Sequence, residues 1–101
     1  MDIYASTLKY FYALSSIPRR PKHEELVRDW LIAWAERYDW THETDESGNL
    51  LIRATGTKPG LICLQAHMDM VCVADHTHDF ETEGITILDD GKILRGDGTT
   101  L

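Results

Sequence analysis

Apolar positions in the first third of the chain recur at helical spacing. From about Ser6 to Ser16, Leu8, Phe11, Tyr12 and Ser15 fall on one stripe, with Leu14 at its edge. Ser6 is the expected N-cap, since its hydroxyl can accept from an orphan amide two or three residues on. Pro18 ends this helix, because the residue before a proline is pushed out of the helical region. Pro18-Arg19-Arg20-Pro21 then reads as a rigid connector. A second helix is expected from about Lys22 to Tyr38. There Val27, Trp30, Leu31, Trp34 and Tyr38 follow the i, i+3, i+4, i+7, i+11 pattern. Glu24 and Glu25 sit in its first turn, where carboxylates complement the helix dipole.

Past Tyr38 the pattern shortens to that of strands. Trp40 to Glu43 and Asn49 to Ala54 flank Asp45-Glu46-Ser47-Gly48, which is turn chemistry. A second turn, Thr57-Lys58-Pro59-Gly60, precedes Leu61-Ile62-Cys63-Leu64-Gln65-Ala66. That nearly continuous apolar run reads as a strand covered on both faces. Ile85 to Leu88 and Lys92 to Arg95 flank Asp89-Asp90-Gly91, a hairpin signal. No repeat or low-complexity tract interrupts the order helix, helix, strands. It predicts α/β or α+β layering. Both helices should lie on one face of a sheet through Leu8, Phe11, Val27, Trp30, Leu31 and Trp34, with the Leu61–Ala66 strand internal.

Composition narrows the class. A length of 101 residues suits one domain and not two. Three Trp, four Tyr and two Phe within 43% apolar residues argue against intrinsic disorder. The longest apolar run, Trp30 to Ala35, is six residues, too short to span a membrane. The start, Met1-Asp2-Ile3-Tyr4, has no basic region followed by an apolar core, so no signal peptide is expected. A net charge of −7 points away from nucleic acid and from anionic membranes. Two cysteines, Cys63 and Cys72, are too few for a disulfide scaffold. They read as thiols in a reducing, cytoplasmic compartment.

Candidate chemistry concentrates in Leu64-Gln65-Ala66-His67-Met68-Asp69-Met70. A buried strand ends in a histidine with an aspartate two positions later. Side chains two apart in extended backbone point the same way, so His67 and Asp69 can address one site. An imidazole is a good zinc ligand, and a nearby carboxylate can fix its tautomer. The same spacing also arises by accident, with a core histidine and a turn aspartate. Cys72, Asp75, His76, His78 and Asp79 resemble part of a zinc site but lack a second ligand pair, so an exposed loop is the better reading. His23 reads as a solvated first-turn residue and His42 as an edge-strand residue. Arg95-Gly96-Asp97-Gly98-Thr99-Thr100-Leu101 matches neither phosphate-loop spacing, and its Arg-Gly-Asp tripeptide is a short, accident-prone match.

Several of these stretches occur together, in this order, in one family. They are Phe11 to Arg19, His23-Glu24-Glu25, Asp45 to Leu50, Leu64 to Cys72 and Gly96 to Leu101. The chain resembles the N-terminal end of an M20-type metallopeptidase of the aminoacyl-histidine dipeptidase branch, also called peptidase D or cytosolic non-specific dipeptidase. His67-Met68-Asp69-Met70-Val71 is a specific motif among them. Arg20-Pro21-Lys22 departs from the family, where a small Ser- or Gly-containing turn is common.

The resemblance implies a zinc-exopeptidase-like α/β catalytic domain. Residues 1–101 would be its incomplete N-terminal portion, two helices packed on a mixed β-sheet. It implies hydrolysis of Xaa-His-type and other dipeptides by a metal-activated water, with two Zn²⁺ per complete site. His67 would be a metal ligand and Asp69 its partner, the catalytic Asp of the family. The family's bridging Asp, general-base Glu and later ligands have no counterpart here. Zinc is therefore expected to be absent or weakly held, and the 101 residues inactive alone. The competing expectation is a non-catalytic module that self-associates as a homo-oligomer through uncovered sheet edges.

Overall fold

The computed structural model describes residues 2–101. Helix α1 spans Ile3–Ser15, and helix α2 spans Glu25–Arg37. Four short strands follow: β1 Thr41–Thr44, β2 Leu50–Arg53, β3 Ile87–Asp89 and β4 Leu94–Gly96. They make two separate antiparallel hairpins, β1 with β2 and β3 with β4. No mixed sheet forms among the described residues, which corrects that part of the expected architecture.

The α1 start differs from expectation. Asp2, not Ser6, is the N-cap, and its carboxylate accepts from the amides of Tyr4 and Ala5 at 3.0 and 3.2 Å. Ile3 and Tyr4 are apolar yet exposed, so the helix begins in a turn that adds nothing to its packed face. Helix α2 starts at Glu25, three residues later than the expected Lys22. Lys22 has a positive φ of 72°, and its amide donates to Glu24 Oε1 at 2.9 Å, closing a tight turn ahead of the helix.

The helices meet through aromatic rings. Tyr10 of α1 packs edge-on against Trp30 and Trp34 of α2, at 6.3 and 6.1 Å between centroids. Trp34 Nε1 donates to the Tyr10 hydroxyl at 3.2 Å. Trp34 also packs against Tyr38 and Trp40, extending the cluster towards β1. Trp30 and Trp34 are both half-buried, as the helix register requires. Val27 and Ala35 close the inner side of α2, and Ile85 is buried near the end of α1, where its amide donates to the Ser15 carbonyl at 2.7 Å. That bond removes Ile85 from the hairpin. The second hairpin accordingly starts at Ile87, two residues later than expected. Its turn is held by Asp90 Oδ1, which accepts from the amides of Lys92 and Ile93. The first hairpin turns as expected, on Asp45 and on Gly48 at φ 88°. Arg28 Nε donates to the Gly48 carbonyl at 2.9 Å and ties that turn to α2.

The largest correction concerns Leu61 to Ala66. This segment pairs with no strand, and Leu61, Ile62 and Leu64 are 95, 88 and 92% exposed. Its composition is that of a strand with two covered faces, but the described residues place nothing on either face.

Candidate active site

The unpaired segment leads straight into the residues that carry the candidate chemistry. His67 Nδ1 lies 2.9 Å from Asp69 Oδ1. An ionised carboxylate can only accept, so in a neutral ring this contact places the proton on Nδ1 and leaves the Nε2 lone pair free. The two side chains differ in access. That of His67 is 79% exposed, whereas that of Asp69 is 33% exposed and sits behind the ring. The pair lines two recesses. One, of about 410 Å³, is shared with Arg19, Val71 and Thr100. The other, of about 460 Å³, is shared with Glu24, Leu31 and Asn49.

Arg19, to which sequence reasoning gave no role in the site, reaches this stretch. Its Nη1 donates to the Met68 carbonyl at 3.1 Å, and its own carbonyl accepts from the Met70 amide at 3.0 Å. Burial pushes the Arg19 guanidinium below its ordinary pKa, and the nearby Asp69 charge works against that. A basic pair between two prolines in an acidic chain was the available signal. Its neighbour Arg20 takes a separate partner, Glu81, at 2.8 Å.

The other candidates do not converge on His67. Cys72 Sγ donates to the Met70 carbonyl at 3.3 Å, and burial pushes its thiol pKa up, the opposite of an activated nucleophile. His76 pairs with Asp75 at 2.8 Å, and His78 with Glu83 at 3.3 Å. They flank a third recess of about 490 Å³. Asp79 is taken up in a turn, accepting from the Glu81 amide and the Thr82 hydroxyl. His42 pairs with Glu36 at 3.0 Å, and His23 is exposed. Arg95 and Gly96 belong to β4, and the Asp97 amide donates to the Thr86 carbonyl at 2.9 Å. The Arg-Gly-Asp tripeptide is therefore part of a hairpin end.

Zinc can be tested against this donor set. A free Nε2 on an exposed ring, with a carboxylate behind Nδ1, suits one ligand position of a zinc site. It does not make a site alone. Among the described residues, no group of three or more His, Cys, Asp or Glu side chains could hold a metal ion.

Comparison with known proteins supplies the wider frame. No protein-family model matches the chain. It is 37% identical over 99 residues to the cytosol non-specific dipeptidase of Escherichia coli (strain K12), a match covering 90% of this chain and 20% of the relative. The crystal structure of aminoacylhistidine dipeptidase from Vibrio alginolyticus superposes on 92% of this chain with a TM-score of 0.81 at 35% identity. That match again covers 20% of the solved chain, so this chain spans about a fifth of the length of both relatives. Fold and sequence together make the chain a homologue of part of a dipeptidase. The two relatives carry the names of the dipeptidase branch that the His67 to Val71 motif resembles.

Proposed function

We propose that residues 1–101 form the N-terminal part of the catalytic domain of a cytoplasmic, zinc-dependent dipeptidase acting on Xaa-His-type and other dipeptides. The observation that carries this reading is the His67–Asp69 pair, joined at 2.9 Å with the ring accessible and the carboxylate sheltered. His67 Nε2 would hold the metal, and Asp69 would fix the ring and raise its basicity through Nδ1. When bound, zinc supplies Lewis acidity and lowers the pKa of a coordinated water. A catalytic zinc needs about three protein ligands. One imidazole falls short of that, so the remaining ligands and the general base come from outside these 101 residues. The 101 residues alone therefore turn over no dipeptide.

The test is a chimera in which these residues replace the matching stretch of the E. coli relative. Supplied with zinc, it should hydrolyse dipeptides, and His67→Ala should abolish turnover. A folded, metal-loaded chimera that is inactive, or one that keeps its activity without His67, would refute the proposal.

A second reading is favoured by one observation, the exposure of Leu61, Ile62 and Leu64 on an unpaired extended segment. Such a segment offers both its backbone edges to another strand. Self-association of the 101 residues as a homo-oligomer follows, and sedimentation showing a clean monomer at about millimolar concentration would count against it.

A further inference from the structure

From Thr55 to Asp69 no backbone–backbone hydrogen bond forms among the described residues, so the chain arrives at His67 untethered. The first ties come from Arg19. Its Nη1 donates to the Met68 carbonyl at 3.1 Å, and its carbonyl accepts from the Met70 amide at 3.0 Å. The Met68 carbonyl belongs to the peptide plane before Asp69, and the Met70 amide to the plane after it. Peptide planes are rigid, so pinning both leaves the two soft torsions of Asp69 little freedom. That fixes the direction of its Cα–Cβ bond, from which the carboxylate reaches His67 Nδ1 at 2.9 Å.

We infer that Arg19 is a positioning residue for the His67–Asp69 pair. It clamps the backbone on both sides of Asp69, aims the carboxylate at His67 Nδ1 and so keeps Nε2 as the free nitrogen. The functional consequence rests on the reading of His67 as a metal ligand. The geometry does not.

The side chain suits the task. A guanidinium forks, so while Nη1 holds the Met68 carbonyl, Nη2 lies 3.7 Å from Met70 Sδ. Holding that fork leaves Nε buried without a hydrogen-bond partner. A lysine would bring one point charge to one acceptor. Arg20 supplies the internal comparison, because its Nη2 turns away to Glu81 at 2.8 Å.

The test reads the His67 ring nitrogens by ¹⁵N NMR in the full 101-residue chain, without metal, at a pH where the ring is neutral. The wild-type chain should show the Nδ1–H tautomer. Arg19→Ala should shift the ring towards the Nε2–H-rich mixture of a free histidine while the α1 and α2 amide signals stay in place. Arg19→Lys should restore part of the Nδ1–H form, and Arg20→Ala should leave it unchanged. A folded Arg19→Ala chain with the wild-type tautomer would overturn the inference, as would an equal loss in Arg20→Ala or a wild-type chain lacking the Nδ1–H form. If Arg19→Ala does not fold, Arg19→Gln decides, since it keeps one donor without the fork. An undiminished Nδ1–H form there would also overturn it. The readout needs neither metal nor turnover. An inactive chimera with an intact His67 signature would sink the dipeptidase reading and leave the role of Arg19 standing.

Discussion

Trp34→Ala probes the packing that sets the frame for the candidate site. Trp34 is half-buried at the junction of α1, α2 and the entry to β1. Full burial of a tryptophan would make its truncation cost about 3–5 kcal/mol, so a half-buried ring accounts for roughly 2. Its neighbours are Tyr10, Tyr38 and Trp40, with centroids 6.1, 5.3 and 5.2 Å away. Such aromatic pairs contribute about 0.5–1.5 kcal/mol beyond area alone, but the pairs share one ring and do not add fully. The bond from Nε1 to the Tyr10 hydroxyl contributes little, because that hydroxyl keeps water and the Tyr38 hydroxyl, 3.5 Å away, as alternatives. The expected loss is about 2–3 kcal/mol, a large share of the stability of a small domain. Urea unfolding followed by far-UV circular dichroism measures it, and Trp34→Phe should recover more than half. A loss below about 0.5 kcal/mol at unchanged m-value would refute the reasoning, since the ring would then be an ornament on the surface.

Asp2→Ala removes two capping bonds and should cost about 1 kcal/mol, read as a lower urea midpoint, whereas Ser6→Ala should cost much less. Gly84→Ala would drive a Cβ into the backbone of Ser16 at the end of α1, and backbone cannot swing aside as a side chain can. Its cost should be about 1–3 kcal/mol, and a neutral effect in the same unfolding assay would contradict that close approach. Asp45, Asp79 and Asp90 are all held below the usual carboxylate range. The main causes are the Asn49 side-chain amide for Asp45, the Thr82 hydroxyl for Asp79 and the Ile93 amide for Asp90. Their folded pKa values lie below the unfolded value of about 3.9, so the unfolded chain binds more protons in between. Their contribution is complete above that value and is lost as pH falls through the depressed folded values. Stability measured from about pH 5 to about pH 2 should therefore fall, less steeply in Asp45→Asn, and a flat profile would contradict the turn geometry.

Much of this was legible in the sequence for identifiable reasons. The α2 stripe of Val27, Trp30, Leu31 and Trp34 reports local periodicity, and local periodicity survives whatever packs around it. Both turn motifs were legible because Asp45 and Asp90 make their bonds within four residues. The start of α1 was missed because its cap depends on one carboxylate and its first turn is exposed. Leu61 to Ala66 misled in a more instructive way. Hydrophobic composition reports the burial a segment is suited to, and no strand among the described residues pairs with it. In the candidate site, His67 and Asp69 could be named from a two-residue spacing. Arg19 could not, since its contacts to Met68 and Met70 span 49 and 51 positions along the chain.

In the proposed site His67 presents Nε2 to zinc while Asp69 holds Nδ1. The most direct measurement is crystallography of the zinc-loaded chimera, with anomalous scattering collected at the zinc edge. A zinc peak is expected about 2.1 Å from His67 Nε2, with Asp69 still bonded to Nδ1. A fully loaded zinc site that leaves His67 without metal, or that takes Nδ1 in place of Nε2, would contradict it.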